Sequence, residues 1–162
     1  MVSIIIPNYN HSQFLEERIE TVLNQTYRDF EVIIIDDCSS DNSRAIIEKY
    51  RHNEKISAIL YNTKNSGSVY RQWKKGIELA KGEYTWIAES DDSSSPLFLE
   101  KILPLIVNNN TAMAFSDSMT IDEYGNEIPG WKTLIDMDIN NTEYKVLDGN
   151  SFIKEKMIFG NR

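Results

Sequence analysis

Apolar residues recur along this chain with two periods, and the periods alternate. "VSIIIP", residues 2–7, is a short β-branched run stopped by proline and reads as a buried strand. In "HSQFLEERIETVLNQ", Phe14, Leu15, Ile19, Val22 and Leu23 return at helical spacing, with Ser12 placed to cap the first turn. "FEVIIID" (30–36) is a second buried strand, and "SDNSRAIIEKYRHN" a second helix entered through its Ser/Asp/Asn cluster. "ISAILYN" (56–62) alternates as a third strand, and "GSVYRQWKKGIELAKG" reads as a helix closed by Gly82. "EYTWIAE" (83–89) is the fourth strand, and "PLFLEKILPLIVNN" a fourth helix with Pro96 in its first turn and Pro104 inside it. "TAMAFSDSMTID" (111–122) predicts a fifth strand and "EYGNE" a turn, after which the periodicity weakens.

Strands alternating with helices predict a parallel sheet with helices on both faces, because each crossover returns right-handed to the same sheet. The fold class is α/β, a Rossmann-like α/β/α sandwich with a mostly parallel sheet. A length of 162 residues suits one domain around a single core. In such sheets ligands bind outside the carboxyl ends of the strands. Three polar stations fall there: Asn8, Tyr9 and Asn10; Asp36 and Asp37; and Glu89, Asp91 and Asp92 in "IAESDDSSSP". Caps and turns select such residues for local reasons, but here all three stations share one sheet edge. Carboxylates as close as Glu89, Asp91 and Asp92 repel, so the cluster costs stability unless a cation sits there.

Composition narrows the class. A net charge of -8 is a poor match to a nucleic-acid binder, which needs basic patches, and gives no attraction to anionic lipid. The longest apolar runs, about five residues, fall far short of a membrane span. Met1 leads into "VSIII" without a basic leader or cleavage site, so the start does not read as a signal peptide. A lone cysteine, Cys38, excludes an internal disulfide and suits a reducing cytoplasm. With only His11 and His52 for company, Cys38 reads as inert.

Missing motifs narrow the chemistry further. No GxGxxG opens the helix after the first strand, and no GxxxxGK[ST] occurs, so a phosphate cradle of backbone amides is not indicated. A phosphate site built through Mg²⁺ or Mn²⁺ remains, since carboxylates at i and i+2 in a turn offer hard oxygens and leave positions open for substrate. Phosphorelay receiver domains also gather acids around Mg²⁺, but their acid pair follows the first strand, where this chain has "PNYN". A non-catalytic nucleotide-sugar-binding module is the other alternative.

With these residues assembled, the chain resembles the family 2 glycosyltransferases of the GT-A fold over most of residues 2–100. "VSIIIPNYNHSQFLEERIETVLNQTYRDFEVIIIDDCSSDNS" is similar to the family's opening segment, and "GIELAKGEYTWIAESDD" to the stretch leading into its acidic metal motif. The resemblance implies a donor nucleotide across the strand ends. Pro7, Tyr9 and Asn10 would border the base, with the Tyr9 ring packing on it. Asp37 would accept from the base N–H, which suits uracil or thymine, and Asp36 would support the loop. Glu89-Ser90-Asp91 takes the place of the family's Asp-x-Asp, with Asp91 and Asp92 as metal residues and Ser90 near ribose or phosphates. Glu89 departs by one methylene, which leaves room for a water-mediated role. "SGSVYRQWKKG" departs more: Arg71 either reaches the diphosphate or is a solvated helix residue, Trp73 reads as core, and Lys74 and Lys75 as an exposed face.

The resemblance also implies a reaction: transfer of a sugar from a UDP-sugar to a saccharide or lipid-linked saccharide, with inversion and an Asp or Glu as base, in cell-surface polysaccharide synthesis. The setting it implies is cytoplasmic, at the inner face of the membrane. The base is expected beyond Arg162, in the acceptor half, so residues 1–100 would be the donor portion of a single truncated domain and 101–162 part of the acceptor side. Asp117 and Asp122 match a hairpin better than a base motif. Truncation predicts exposed apolar surface and self-association, with "FIKEKMIF" as the candidate surface or, alternatively, a packed amphipathic helix.

Overall fold

A computed structural model describes residues 1–116, 118–122, 124–128, 146, 148 and 149. "FIKEKMIF" and Asp117 lie outside the described residues. Four strands, β1 (Val2–Asn8), β2 (Phe30–Asp36), β3 (Ile56–Tyr61) and β4 (Tyr84–Ile87), alternate with α1 (Ser12–Leu23), α2 (Ser43–Lys49), α3 (Val69–Leu79) and α4 (Phe98–Asn109). The sheet order is β3-β2-β1-β4 and every pairing is parallel.

Strands β1 and β2 occupy the middle of the sheet, so both faces are covered and every residue of each is buried. This explains their unbroken apolar runs. Each fully buried isoleucine contributes roughly 1.5–3 kcal/mol relative to exposure. Ile5, Ile33 and Ile35 point to one face, where Ile5 meets Gly76 of α3. By strand alternation Ile4, Ile6, Val32 and Ile34 point to the other face, and α1 packs on β1 and α2 on β2, with the two helices in contact.

Two caps differ from expectation. His11, not Ser12, is the N-cap of α1, and no side chain caps it; Ser12 donates its amide to Asp41 Oδ2 instead, at 2.8 Å. Helix α3 ends at Ala80, in extended conformation, rather than at Gly82. Gly82 is required for close approach: a Cβ there would lie 2.6 Å from the Ser3 amide and 2.9 Å from the Met1 carbonyl.

The chain divides into compact units Met1–Lys101 and Ile102–Arg162. In the second unit, the strand expected over 111–122 does not form among the described residues; a single antiparallel bridge, Ile121 with Glu127, takes its place. Strand preference needs a paired and half-buried surface, and Met113 and Met119 are exposed instead. The expected turn is present, closed by Asp122 Oδ1 accepting the amides of Tyr124 (2.9 Å) and Asn126 (2.8 Å).

Candidate functional site

Strand β1 lies between the outgoing β2-β3 pair and the returning β4, so the connections reverse direction beside it. The crevice at such a reversal is left open because successive loops run away from one another. Register brings Asn8 level with Asp36, and Asp36 level with Tyr61, so the loops after β1, β2 and β3 begin at one height.

Polar residues of the first two loops hold each other. Asn8 Nδ2 donates to Asp36 Oδ1 (2.8 Å), and Asp36 also accepts from the Ser39 amide (3.0 Å). Asn10 takes the left-handed conformation (φ 57), which asparagine tolerates. Its Oδ1 accepts the Ser40 amide (2.8 Å), and its own amide donates to Ser39 Oγ (2.9 Å). Asp41 joins the starts of both helices through the Ser12 and Ser43 amides. Burial alone would raise its carboxyl, but hydrogen bonds from Ser43 and Ser12 reverse that and hold it at about 2. Asp36 and Asn10 are therefore turned into the loops, and neither lines the cavity that the loops frame.

That cavity, about 300 Å³, is walled by Pro7, Tyr9, His11, Asp37, Glu89 and Ser90, with the loop before α3 closing one side. Tyr9 is 47% exposed, leaving much of its ring uncovered. Asp37 is buried, and its carboxylate accepts Asn62 Nδ2 (2.6 Å), Ser66 Oγ (2.7 Å) and the Ser66 amide, which is shared between Oδ2 (3.0 Å) and Oδ1 (3.1 Å). A carboxylate has about four lone-pair sites, and these contacts, two on each oxygen, engage them all. Asn62 also donates to Gln72 Oε1 (2.8 Å) and accepts from Lys75 Nζ (2.6 Å), so Lys75 is drawn into the network rather than standing on an exposed face. Arg71 is exposed and donates to the Ser66 carbonyl (3.1 Å); it does not line the cavity.

Of the acidic turn, Glu89 and Ser90 line the cavity, and Asp91 and Asp92 do not. Trp73 is half-buried and donates its indole N–H to Glu89 Oε1 (2.8 Å). Burial pushes the Glu89 carboxyl up, the indole bond opposes this, and the charges of Asp91 and Asp92 add to it. Ser90 Oγ and His11 Nδ1 share a hydrogen bond of 2.8 Å, and Asp91 Oδ1 lies 4.0 Å from the same nitrogen. Beneath the turn, Arg18 donates through Nε to the Glu89 carbonyl (2.6 Å), and its Nη2 is 3.5 Å from Asp92 Oδ2.

The chain matches the family model described as glycosyl transferase family 2 over residues 3–159. It belongs to that family. It is 30% identical over 123 residues to glycosyltransferase GlyG of Streptococcus pneumoniae, spanning 76% of this chain and 40% of that protein. It is 34% identical over 133 residues to the poly(ribitol-phosphate) β-N-acetylglucosaminyltransferase TarP of Staphylococcus aureus, spanning 80% of this chain and 38% of TarP. The chain thus spans less than half the length of these two relatives. In structure it is similar to residues 1–349 of S. aureus TarS solved with UDP-GlcNAc: TM-score 0.61, 28% identity, 67% of this chain and 32% of that one. The mostly parallel α/β arrangement is the family's GT-A fold.

Asp91 and Asp92 are 50% and 68% exposed and offer hard oxygens. No group of three or more metal-ligating side chains converges among the described residues. A cation that takes one or two carboxylates and completes its shell with water and phosphate oxygens, as Mg²⁺ does, fits this donor set. His11, Arg18, Asn62, Ser66 and Gln72 carry much of the site, yet motif spacing singles out none of them. Arg18 did leave a signal: it stands with Leu15, Ile19 and Val22 on the buried stripe of α1, where a hydrophobe is expected.

Proposed function

We propose that residues 1–100 are the donor-binding portion, and the remainder part of the acceptor side, of a glycosyltransferase that moves a sugar from a UDP-sugar to a saccharide or lipid-linked saccharide acceptor. The observation that carries this reading is the cavity at the topological reversal, walled by the exposed Tyr9 ring, by Asp37 and by Glu89 and Ser90 at the start of the acidic turn. The uncovered Tyr9 ring stacks on the base. The Asp37 carboxylate accepts the imide N–H in place of one half of the shared Ser66 amide bond, and the Asn62–Ser66 network holds it rigid. The UDP-GlcNAc bound to TarS supports uridine as the nucleoside, and TarP, named for a polymer of ribitol phosphate, supports cell-surface polysaccharide as the setting.

The acceptor hydroxyl displaces the diphosphate directly, forming its bond to the anomeric carbon as the bond to phosphate oxygen breaks, with inversion, while an Asp or Glu base takes its proton. Asp91 and Asp92 would hold Mn²⁺ or Mg²⁺, which would supply positive charge to offset the negative charge growing on the leaving diphosphate. Ser90 lies near the ribose or phosphates, and Glu89, engaged by Trp73, would act on the cation through water. Calorimetric titration of UDP tests the reading. Binding is expected in Mn²⁺, is lost in EDTA, and weakens at least about tenfold in Asp91→Ala, a shift of about 1.4 kcal/mol. Equal affinity under all three conditions would refute a metal-bridged diphosphate site.

A further inference from the structure

Helix α1 buries an arginine, only 3% exposed, in its apolar stripe. A guanidinium removed from water must recover its hydration through hydrogen bonds and opposite charge. Arg18 recovers it incompletely. Its Nη1 is buried without a partner, and burial pulls its pKa down against the raising effect of Asp92, Asp91, Glu89 and Glu17. Burying a guanidinium costs several kcal/mol unless its partners return it, so packing alone does not account for the residue.

What Arg18 touches accounts for it better. Nε holds the Glu89 carbonyl, the point where the chain leaves β4, at 2.6 Å. Nη2 faces Asp92 at 3.5 Å, and the guanidinium carbon sits 5.8 Å from the Trp86 ring centroid. Seven residues on, Gln25, just past the C-cap of α1, grips the far end of the loop: its Nε2 donates to the Ser95 carbonyl (2.7 Å) and its Oε1 accepts the Leu99 amide (3.0 Å). The acidic turn is therefore tied at one end to α1 and at the other to the segment just past that helix, and the tie at the chemical end carries a positive charge.

We propose that Arg18 is a positioning residue of the donor site, fixing through the Glu89 carbonyl the direction in which Ser90, Asp91 and Asp92 are presented. The inference rests on the donor-site reading above. In the empty site its charge offsets the repulsion among Glu89, Asp91 and Asp92, so the turn keeps its shape before any cation arrives.

The test compares wild type, Arg18→Met and Arg18→Lys by urea unfolding, UDP titration in Mn²⁺, and amide hydrogen exchange across residues 89–95. Arg18→Met is expected to unfold at or above the wild-type midpoint, yet to bind UDP about tenfold or more weakly, the scale of one lost charged hydrogen bond. Exchange is expected to rise across 89–95 and stay unchanged in β1 and β2. Arg18→Lys is expected to recover part of the affinity. A lowered midpoint with exchange raised across the whole sheet would make Arg18 merely structural and overturn the proposal, as would wild-type affinity and exchange in Arg18→Met. Absence of UDP binding in wild type would defeat the donor-site reading instead, and exchange at 89–95 would still decide whether Arg18 sets the turn.

Discussion

Replacing Gly76 by alanine pits helix propensity against packing at a defined point. Gly76 sits inside α3, where alanine is favoured over glycine by roughly 0.8–1 kcal/mol. The new Cβ would lie 2.4, 2.8 and 2.9 Å from Cγ2, Cδ1 and Cγ1 of Ile5, which is fully buried on the central strand. No rotation of Ile5 clears three of its own atoms at once, so α3 must lift from the sheet. Overpacking of this kind costs about 1–3 kcal/mol, so the expected net loss is about 1 kcal/mol. With a urea m-value of about 1–3 kcal/mol/M, the midpoint falls by roughly 0.3–1 M. Because α3 carries Val69 and Gln72 to the cavity, UDP affinity should fall as well. The decisive control is Ile5→Ala: once all three clashing atoms are gone, adding Gly76→Ala should be neutral or stabilising. An equal loss in both backgrounds, measured by urea unfolding as a double-mutant cycle, would refute the steric argument.

Two further outcomes follow from the loops. Asp41 has its carboxyl held at about 2 against an ordinary 3.8, so its stabilisation is present above about pH 4 and disappears as pH falls towards 2. Discounted for its exposed position, the term is about 1 kcal/mol, and Asp41→Asn should flatten the acid limb of the stability profile by that amount between pH 4 and 2. Tyr9→Ala should weaken UDP binding by about 1–3 kcal/mol, the scale of one base–aromatic stack, whereas Tyr9→Phe should retain it; equal calorimetric affinity in Tyr9→Ala and wild type would remove the ring from the site.

The sequence by itself determined the order of elements, the parallel sheet and the edge on which the polar stations gather. Those follow from short-range causes: a β-branched run such as "VSIIIP" cannot satisfy both its backbone and its side chains except as a buried strand, and the connections then fix topology. It also exposed Asp37 and the acidic turn, because polar residues ending an apolar run have only the strand's carboxyl end to occupy. Tertiary structure alone decided which of those residues face the cavity. Asn10 and Asp36 read like Tyr9 and Asp37, yet they are spent joining two loops that lie some thirty residues apart in sequence. Gly82 read as a helix stop, and only the nearness of Ser3 shows what it is for. The strand expected over 111–122 read like the others but found no paired surface. The Trp73–Glu89 bond and the grip of Arg18 on the Glu89 carbonyl were likewise invisible, since a hydrogen bond depends on distance in space and local periodicity carries none of that information.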